Sequence, residues 1–328
     1  MLVDHFGRNI TYLRISVTDR CNFRCLYCMP AEGVQALPHQ AIMRYEEIAE
    51  VVRVAAENGI SSIRLTGGEP LVRLDLADLV RMIRSIPGVQ DISLTTNGML
   101  LERFAAPLAD AGLDRINLSM DTLDPIKFER ITRGGSLETL WRGVNAAEKA
   151  GLSPIKFNTV VMRGINDDEL LEIGALSRDH PWDMRFIELM PVMNQTSWGP
   201  DFLSPDQIYI SVQEMKALFD AYELMPAGKD AGQGPAREYR LPGAMGKIGF
   251  ISPLGDHFCG SCNRLRLTSD GYLRPCLLSD LEFPLLPALR EGRDILPVFQ
   301  AALDRKPLGH ELRLNHTPEV RCMRQIGG

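Results

Sequence analysis

The run Cys21-Asn22-Phe23-Arg24-Cys25-Leu26-Tyr27-Cys28 lies shortly after Tyr12–Val17, an apolar segment with the pattern of a β-strand. Three thiolates on so short a loop can converge on one metal centre, but they leave it one ligand short. Structural zinc sites close with four protein ligands, whereas a reactive site keeps one position open. Thiolates select zinc, Cu(I) or iron–sulfur centres, and an iron–sulfur cube on three cysteines leaves one iron free. The loop therefore predicts a metal centre that can bind a small molecule.

A second motif follows the next strand-like segment. Thr66-Gly67-Gly68-Glu69-Pro70 comes directly after Ser62–Leu65, about forty residues beyond the cysteines. The cysteine spacing, with Tyr27 before the third cysteine, resembles the signature of the radical S-adenosylmethionine (SAM) superfamily. The glycine-rich segment is similar to the one that holds the methionine end of SAM there. The resemblance implies a first [4Fe–4S] cluster, SAM as cofactor and a partial βα barrel.

Length and composition describe an ordinary globular protein. The 328 residues can bury a large core, and 24% of them are charged and 45% hydrophobic. A net charge of −6 argues against a general nucleic-acid or membrane-surface binder. No apolar run is long enough to span a bilayer, and the N-terminus lacks the apolar core of a secretion signal. Seven clustered cysteines fit metal binding in a reducing compartment, so the expected location is the cytoplasm.

Strand-like runs alternate with amphipathic helical patterns through the first 190 residues. The repeated strand-then-helix order predicts parallel strands with right-handed crossovers. The predicted strands are Tyr12–Val17, Ser62–Leu65, Asp91–Thr95, Arg115–Ser119, Ile155–Val161 and Arg185–Leu189. The predicted helices are Tyr45–Asn58, Leu74–Ser85, Leu100–Ala111, Leu137–Ala150 and Asp168–Arg178.

Polar residues follow these strands where each ends. In a βα barrel the carboxyl ends of the strands form the mouth of the active site, so the sequence predicts a functional rim there. Taken singly, such residues also start loops and cap helices without any other role. Six strands rather than eight predict an α/β fold with a partial (βα)6 TIM-like barrel. The polar segments are Thr18-Asp19, Thr66–Glu69, Thr95–Asn97, Ser119–Asp121, Asn158-Thr159 and Glu188–Met190.

The pattern changes after residue 190, which predicts a domain boundary between residues 1–190 and 191–328. Met193–Pro205 is irregular, and Asp230–Pro235 has the composition of a flexible loop. Short strands are predicted at Glu238–Leu241 and Lys247–Ile251, with a hairpin from Leu265 to Cys276 that turns at Asp270-Gly271. We expect this annex to close the open side of the barrel.

The annex carries a second set of three cysteines. Cys259 and Cys262 lie just before the predicted hairpin, and Cys276 lies on its far arm. With His257 as the fourth ligand these residues also have the composition of a structural zinc site. Cys322 is a candidate distant ligand or a plain buried cysteine. The spacing alone leaves zinc and an iron–sulfur cluster open.

The two cysteine sets together resemble the GTP 3′,8-cyclase family of molybdenum cofactor biosynthesis. The segment Cys262–Arg266 and the terminal Gly327-Gly328 strengthen the likeness, which runs from Thr11 to the C-terminus. The resemblance implies two [4Fe–4S] clusters and a lyase that converts GTP into 3′,8-cyclo-7,8-dihydro-GTP. A 5′-deoxyadenosyl radical would remove the ribose C3′ hydrogen, and the carbon radical would attack C8 of guanine.

The family also implies roles for individual residues. The clusters would be held by Cys21, Cys25 and Cys28 and by Cys259, Cys262 and Cys276. SAM would be contacted by Tyr27, Gly68, Ser119 and Met190. GTP would be contacted by Arg14, Arg64, Thr95, Lys156, Arg264, Leu265 and Arg266. Arg185, Gly327 and Gly328 are the candidate catalytic residues, because the family threads its glycine tail into the active site.

Two of the arginines support a phosphate site independently of the family. Arg14 and Arg64 lie inside strand-like runs, where a charge that points into a barrel needs a reason. Arginine binds oxyanions with a planar, two-pronged group. The alternative is that each guanidinium lies on the outer face of its strand in solvent. The alternative to insertion of the glycine tail into the active site is that the tail is a frayed terminus.

Two other functions remain open from the sequence. One is a different radical SAM enzyme with an auxiliary cluster, such as a peptide maturase. The other is a zinc-binding protein without catalysis, although a core of this size does not need zinc for stability. The cyclase interpretation implies GTP as substrate, an electron donor and a downstream cyclic pyranopterin monophosphate synthase as partners. It leaves a homodimer open, and it involves neither nucleic acid nor a membrane.

Overall fold

The computed structural model describes residues 1–190, 205–228, 234–255, 258–310 and 321–327. Six strands in the first 190 residues match the six predicted ones, with ends that differ by at most two residues. They are β1 (Tyr12–Ser16), β2 (Ser62–Thr66), β3 (Asp91–Thr96), β4 (Arg115–Ser119), β5 (Ile155–Val161) and β6 (Asp183–Glu188). The later strands are β7 (Met225–Pro226), β8 (Arg237–Arg240), β9 (Lys247–Ile251), β10 (Arg264–Leu267), β11 (Tyr272–Arg274) and β12 (Phe283–Pro284).

The helices cover the outside of the sheet. Those of the first 190 residues are α1 (Tyr45–Glu57), α2 (Leu76–Arg84), α3 (Leu101–Asp110), α4 (Pro125–Thr132), α5 (Leu137–Lys149) and α6 (Leu170–Asp179). Those of the annex are α7 (Pro205–Ile208), α8 (Val212–Ala217), α9 (Leu286–Arg290) and α10 (Leu296–Asp304). Among the described residues, no helix combines the length and apolar character needed to cross a bilayer.

All described strands belong to one sheet, in the order β12-β11-β10-β1-β2-β3-β4-β5-β6-β9-β8-β7. The six barrel strands are parallel, and the annex adds one more parallel strand at each side, β10 beside β1 and β9 beside β6. The expected partial α/β barrel is therefore confirmed, and its annex strands extend the barrel sheet rather than forming a separate layer. The division at residue 190 stays a prediction.

Alternation along the strands separates a core face from a polar face. On β1, Leu13 and Ile15 are fully buried against the helices, while Arg14 between them points to the other side. Residues that pair across parallel strands share a face, so each inward position on β1 has an inward neighbour on β2 and β10. Because side chains alternate along each strand, every second residue points inward, and paired residues on neighbouring strands form rows inside the barrel.

Helix α4 was not predicted, although Asp124-Pro125 is a common way to start a helix. The Asp124 carboxylate accepts hydrogen bonds from the backbone N–H groups of Ile126 and Lys127. Helices α9 and α10 were not predicted either. The predicted hairpin is confirmed, since β10 and β11 pair antiparallel around Asp270-Gly271. The irregular stretch at 193–205 lies almost wholly outside the described residues, as does most of the loop at 230–235.

Candidate active site

A cavity of about 420 Å³ runs through the barrel between the sheet and the annex. More than half of the residues that line it are polar or charged, and they come from both ends of the strands. Thirteen of the predicted site residues line it. They are Arg14, Tyr27, Arg64, Thr95, Ser119, Lys156, Arg185, Met190, Cys259, Cys262, Arg264, Arg266 and Cys276.

Three arginines form a row across the cavity wall. Arg14 pairs with Arg266 on one side and with Arg64 on the other, so the three occupy neighbouring strands at one level. We call Arg266, Arg14 and Arg64 the arginine row. Adjacent strands lie about 4.8 Å apart, and like charges at that spacing repel unless an anion lies among them.

Burial and mutual repulsion make these cations costly. Burial lowers the pKa of Arg14 well below its usual value, and the neighbouring Arg266 and Arg64 lower it further. Burial likewise lowers the pKa of Arg64 and of Arg266 to about 10. A polyanion in the cavity would relieve both effects, because it returns hydrogen bonds and opposite charge to the row. The arrangement has the chemistry of a triphosphate site.

A buried ion network lies beside the arginine row. Lys156 on β5 pairs with Asp183 at 2.6 Å, and Lys247 pairs with Glu238 at 3.2 Å. Arg185 is only 3% exposed, and it lies 3.6 Å from Glu238 and 4.0 Å from Asp183. These longer separations leave the Arg185 guanidinium loosely held, so it can turn to a ligand at small cost.

Buried polar atoms without hydrogen-bond partners also face the cavity. They are Thr95 Oγ1, Asn158 Oδ1 and Arg185 Nε. An unpaired buried polar group costs about 1–3 kcal/mol, so natural sites leave such groups where a ligand completes them. They offer hydroxyl, carbonyl and guanidinium chemistry, which suits a ribose or a base as well as phosphate.

The first triad, defined as Cys21, Cys25 and Cys28, lies beyond the carboxyl end of β1. Helix α4 holds its loop, since the N–H groups of Arg24 and Leu26 donate to the carbonyls of Thr132 and Ile131. The α4 that was missed from the sequence is therefore part of the support of the cysteine loop.

The glycine-rich segment holds the chain just before the first triad. The N–H of Gly68 donates to Thr18 O, and the N–H of Glu69 donates to Arg20 O. A Cβ on Gly68 would lie 2.3 Å from Arg20 O, and one on Gly67 would lie 2.4 Å from Thr18 O. Only glycine permits this approach of two backbones, whatever further contact Gly68 makes with SAM.

The surroundings of the first triad are acidic. Burial raises the pKa of Cys25 well above its usual value, and Cys28 and the Asp121 carboxylate raise it further. Burial also raises the pKa of Cys21, although the N–H of Phe23 lowers it, while Glu69 adds to the increase. The pKa of Cys28 rises to about 12, mainly by burial and then by the nearby Cys322. Three such thiols become thiolates readily only when a metal compensates their charge.

The second triad, defined as Cys259, Cys262 and Cys276, lies at the opposite end of the cavity. Cys259 and Cys262 precede β10, which runs parallel to β1, so they lie at the amino edge of the sheet. Cys276 follows β11, which runs the other way and returns the chain to that same edge. The two triads therefore lie at opposite ends of the strands.

The surroundings of the second triad are cationic. Burial by itself raises the pKa of Cys262, but Lys306, Arg264 and Arg8 together lower it below the usual value. All seven cysteines are free thiols. Among the described residues, no three His, Cys, Asp or Glu side chains close on a single ion. His257, the alternative zinc ligand, lies outside the described residues. Three partly buried thiols beside these cations fit an anionic iron–sulfur cluster.

Three of the predicted SAM contacts lie at the carboxyl edge of the cavity. Tyr27 donates a hydrogen bond of 2.9 Å from its hydroxyl to Asp121 Oδ2, and Asp121 follows directly on β4. Ser119 ends β4, and Met190 comes two residues after β6. The first triad lies at the same edge, and the contact of these side chains and Gly68 with SAM stays a prediction.

The C-terminal tail enters the barrel. The Arg266 guanidinium donates to the carbonyls of Gly327 at 2.5 Å and Ile326 at 3.2 Å. A Cβ on Gly327 would lie 2.7 Å from Thr66 Cγ2, and its φ of +70° favours glycine. The tail also reaches the cysteine loop, because Arg324 donates to Val34 O at 2.7 Å. Gly328 lies outside the described residues.

Some residues take positions that the sequence did not predict. Leu265 is fully buried in the hydrophobic core between two inward arginines, so only its backbone faces the site, and its GTP contact stays a prediction. Asn158 belongs to a predicted polar strand end but is not among the predicted site residues, although it lies on the same face of β5 as Lys156. Asp183 likewise shares the phase of Arg185 on β6. Tyr12 and Lys306 carried no signal in the sequence.

The family comparisons agree with this geometry. The Radical SAM superfamily matches residues 15–176, and the family described as Molybdenum Cofactor Synthesis C matches residues 182–312. A protein of Pelotomaculum thermopropionicum named GTP 3′,8-cyclase is 49% identical to this chain, over 99% of both sequences. One of Moorella thermoacetica with the same name is 48% identical, again over 99% of both.

This chain belongs to the GTP 3′,8-cyclase family. Its place in the radical SAM superfamily implies a [4Fe–4S] cluster and SAM, so the resemblance read from the two motifs is confirmed. Membership of this cyclase family also favours the predicted enzyme over a peptide maturase or a non-catalytic zinc protein.

Solved structures show the same fold. Streptococcus suis SuiB bound to S-adenosylmethionine has a TM-score of 0.61 at 15% identity, over 89% of this chain and 66% of SuiB. Native anSMEcpe with bound AdoMet has a TM-score of 0.59 at 18% identity, over 90% of this chain and 81% of that one. At such low identity the likeness concerns the architecture of the partial barrel.

Proposed function

We propose that this protein is a radical SAM lyase that converts GTP into 3′,8-cyclo-7,8-dihydro-GTP, the first step of molybdenum cofactor biosynthesis. One observation carries the proposal: the arginine row crosses a cavity that is lined by the second triad at its amino end and by Tyr27, from the loop of the first triad, at its carboxyl end. A triphosphate fits the row, and the two ends of the cavity can then serve the two halves of the reaction.

Each triad would hold one [4Fe–4S] cluster. The donor set of three partly buried free cysteines fits such a cluster at both sites, with one iron left open each time. Held by Cys21, Cys25 and Cys28, the first cluster would supply, together with SAM, the radical chemistry that removes the C3′ hydrogen of GTP. The second cluster would bind the guanine base, near the position where C8 is attacked.

The cationic residues of the cavity would bind and orient GTP. Arg14, Arg64 and Arg266 would hold phosphate oxygens, because their repulsion falls when an anion lies among them. Lys156 and Arg185 would take further oxygens, and Asp183 and Glu238 hold them at the wall until then. Thr95 and Arg264 also face the cavity and would complete the nucleotide contacts.

Tyr27, Gly68, Ser119 and Met190 would place SAM between the first triad and GTP. Reacting atoms must lie about 3–3.5 Å apart for hydrogen transfer, and a radical requires that water be kept out. The inserted tail serves both needs. It closes the carboxyl edge at Gly327, and its carbonyls fix the direction of the Arg266 guanidinium.

The reaction also requires partners. An electron donor must reduce the first cluster, and a cyclic pyranopterin monophosphate synthase would take the product. We place these steps in the cytoplasm, because exposed thiolate clusters require a reducing compartment. A homodimer is compatible with this function.

The decisive test uses anaerobically reconstituted protein, reductant, SAM and GTP deuterated at C3′. We expect mass spectrometry to find deuterium in the 5′-deoxyadenosine that is released. ATP deuterated at C3′ is the matched control and should give none. Unlabelled 5′-deoxyadenosine would contradict GTP as the hydrogen donor, and none at all from protein with intact clusters would contradict radical chemistry.

A further inference from the structure

Lys306 is a buried cation that neither the sequence motifs nor the proposed reaction uses. It lies just after α10 and is only 2% exposed. Its ammonium contacts Cys262 Sγ at 3.7 Å, Arg264 O at 2.8 Å and Pro275 O at 2.6 Å. All three contacts belong to the second triad or to the backbone beside it.

The contacts match the chemistry of a charged lysine. An ammonium carries three N–H donors and no acceptor, and here it meets two carbonyl oxygens and a sulfur, which all accept. Among the described residues, no carboxylate lies within ion-pair distance of Lys306. Buried charges are normally paired, and here the nearby groups that can carry negative charge are the sulfurs of Cys262 and Cys276.

The position of Lys306 also ties the ligands together. Arg264 begins β10 just after Cys262, and Pro275 directly precedes Cys276 on the far arm of the hairpin. The Lys306 ammonium therefore contacts both arms of the hairpin, beside Cys262 on one arm and beside Cys276 on the other. Arg8 supports the third cysteine in a similar way, since its guanidinium donates to Cys259 O at 2.7 Å.

We propose that Lys306 is a positioning residue of the second cluster, a role that rests on the proposed [4Fe–4S] site of the second triad. Its ammonium contacts the sulfur of Cys262 and the carbonyls of Arg264 and Pro275, so it holds the chain beside two of the proposed cluster ligands, Cys262 and Cys276. Its charge offsets the charge of the thiolates, which stabilises the reduced cluster and raises its midpoint potential. Lys306 thus stabilises the second cluster without being one of its ligands.

The test compares Lys306→Met, which keeps the length but removes the charge, with Lys306→Arg, which keeps the charge. Lys149→Met, an exposed lysine at the end of α5, controls for the loss of one positive charge. Each full-length protein is reconstituted and taken through a redox titration, in which electron paramagnetic resonance follows the reduction of the second cluster. The rate at which iron is released to a chelator is measured as well.

In Lys306→Met we expect a more negative midpoint potential for the second cluster and iron release about 10–100-fold faster, the usual scale for an outer ligand-supporting residue. In Lys306→Arg we expect a midpoint potential and an iron-release rate close to those of the wild type. The first cluster should keep its electron paramagnetic resonance signal in every variant. A wild-type potential and release rate in Lys306→Met would overturn the proposal. Equal loss of the second cluster in Met and Arg variants would overturn the role of charge.

The proposed second cluster fails separately, if wild-type protein reconstitutes only four irons and its Cys262→Ala variant keeps all of them. In that case the contact of Lys306 with the thiolates has no cluster to serve, and the inference falls with it. Eight irons in the wild type, with no change in Lys306→Met, would reject Lys306 alone.

Discussion

The two cysteine triads have the same ligands but differ at one cysteine: burial leaves the pKa of every thiol in them raised except that of Cys262, where nearby cations outweigh burial. The first lies at the carboxyl edge of the barrel, where the carboxylates of Glu69 and Asp121 face it and raise the pKa of its thiols further after burial. The second lies at the amino edge, where Lys306 and Arg264 counter the effect of burial and lower the pKa of Cys262. Identical cysteine counts in the sequence therefore give two different electrostatic sites.

This difference suits separate roles for the two proposed clusters. Negative charge near a cluster disfavours its reduction, which suits a strongly reducing centre that cleaves SAM. Positive charge favours the binding of anionic groups, which suits a centre beside a nucleotide. The supports differ as well, because backbone and glycine hold the first loop, while the long side chains of Lys306 and Arg8 hold the second.

The largest expected effect separates the two triads by single ligand losses. Cys25→Ala should abolish both SAM cleavage and GTP cyclisation, a loss on the order of a thousandfold or more. Cys262→Ala should lose cyclisation to a similar degree but still release 5′-deoxyadenosine, because the first triad is untouched. Chromatography of both products measures this. Equal loss of SAM cleavage in the two variants would contradict the separate roles.

A smaller effect is expected at the row that lies between the triads. Arg266→Met removes one buried guanidinium, and a charge-assisted hydrogen bond is worth about 1.5–3 kcal/mol. GTP affinity should fall roughly 10–100-fold in equilibrium binding, with the iron content unchanged. Arg293→Met, an exposed arginine of the annex, is the control. Unaltered GTP affinity in Arg266→Met would remove the row from the phosphate site.

The C-terminal tail lies at the carboxyl edge of the cavity, which is the edge of the first triad. Gly327→Ala must place a Cβ 2.7 Å from Thr66 Cγ2 at a φ of +70°. Such strain costs about 1–2 kcal/mol, so cyclisation should fall roughly tenfold and further with Gly328→Ala. Both clusters should remain in the electronic spectrum. Gly292→Ala, which has a similar φ but open space, controls for strain alone.

The smallest expected effect concerns the acidic side of the comparison. Burial raises the pKa of Asp121 to about 6, although the Val160 N–H and the Tyr27 hydroxyl oppose this. A carboxyl whose pKa is higher in the folded than in the unfolded chain stabilises at low pH and loses that contribution as the pH rises through 6. Wild-type protein should lose roughly 1 kcal/mol relative to Asp121→Asn between pH 5.5 and 7.5.

Thermal unfolding of the two proteins at both pH values measures this difference. Asp124→Asn, an exposed carboxylate at the start of α4, is the matched control for the substitution itself. A stability gap between wild type and Asp121→Asn that does not change with pH would contradict a proton on Asp121 near pH 6.

The sequence predicted the elements that carry strong periodic or covalent signals. The six barrel strands, five of the helices and the β10–β11 hairpin follow from patterns of two and 3.6 residues. Helix α4 escaped because its eight residues carry a short apolar pattern, yet Asp124 and Pro125 mark its start. The sequence left open whether Arg14 and Arg64 point into the barrel or into solvent, and the structure places both at the cavity wall.

By itself the sequence determined the two cysteine sets, the glycine-rich segment and the barrel, because ligand spacing and strand–helix alternation are local properties. Only the tertiary structure decided which residues meet. The register of β10 against β1 places Arg266 beside Arg14, and parallel pairing sends the two triads to opposite edges. Helix α10 packs against β11 and β12, and the residues after it bring Lys306 to Cys262 from 44 residues away in the chain. Such contacts depend on how strands align across long separations, and no local pattern encodes that alignment.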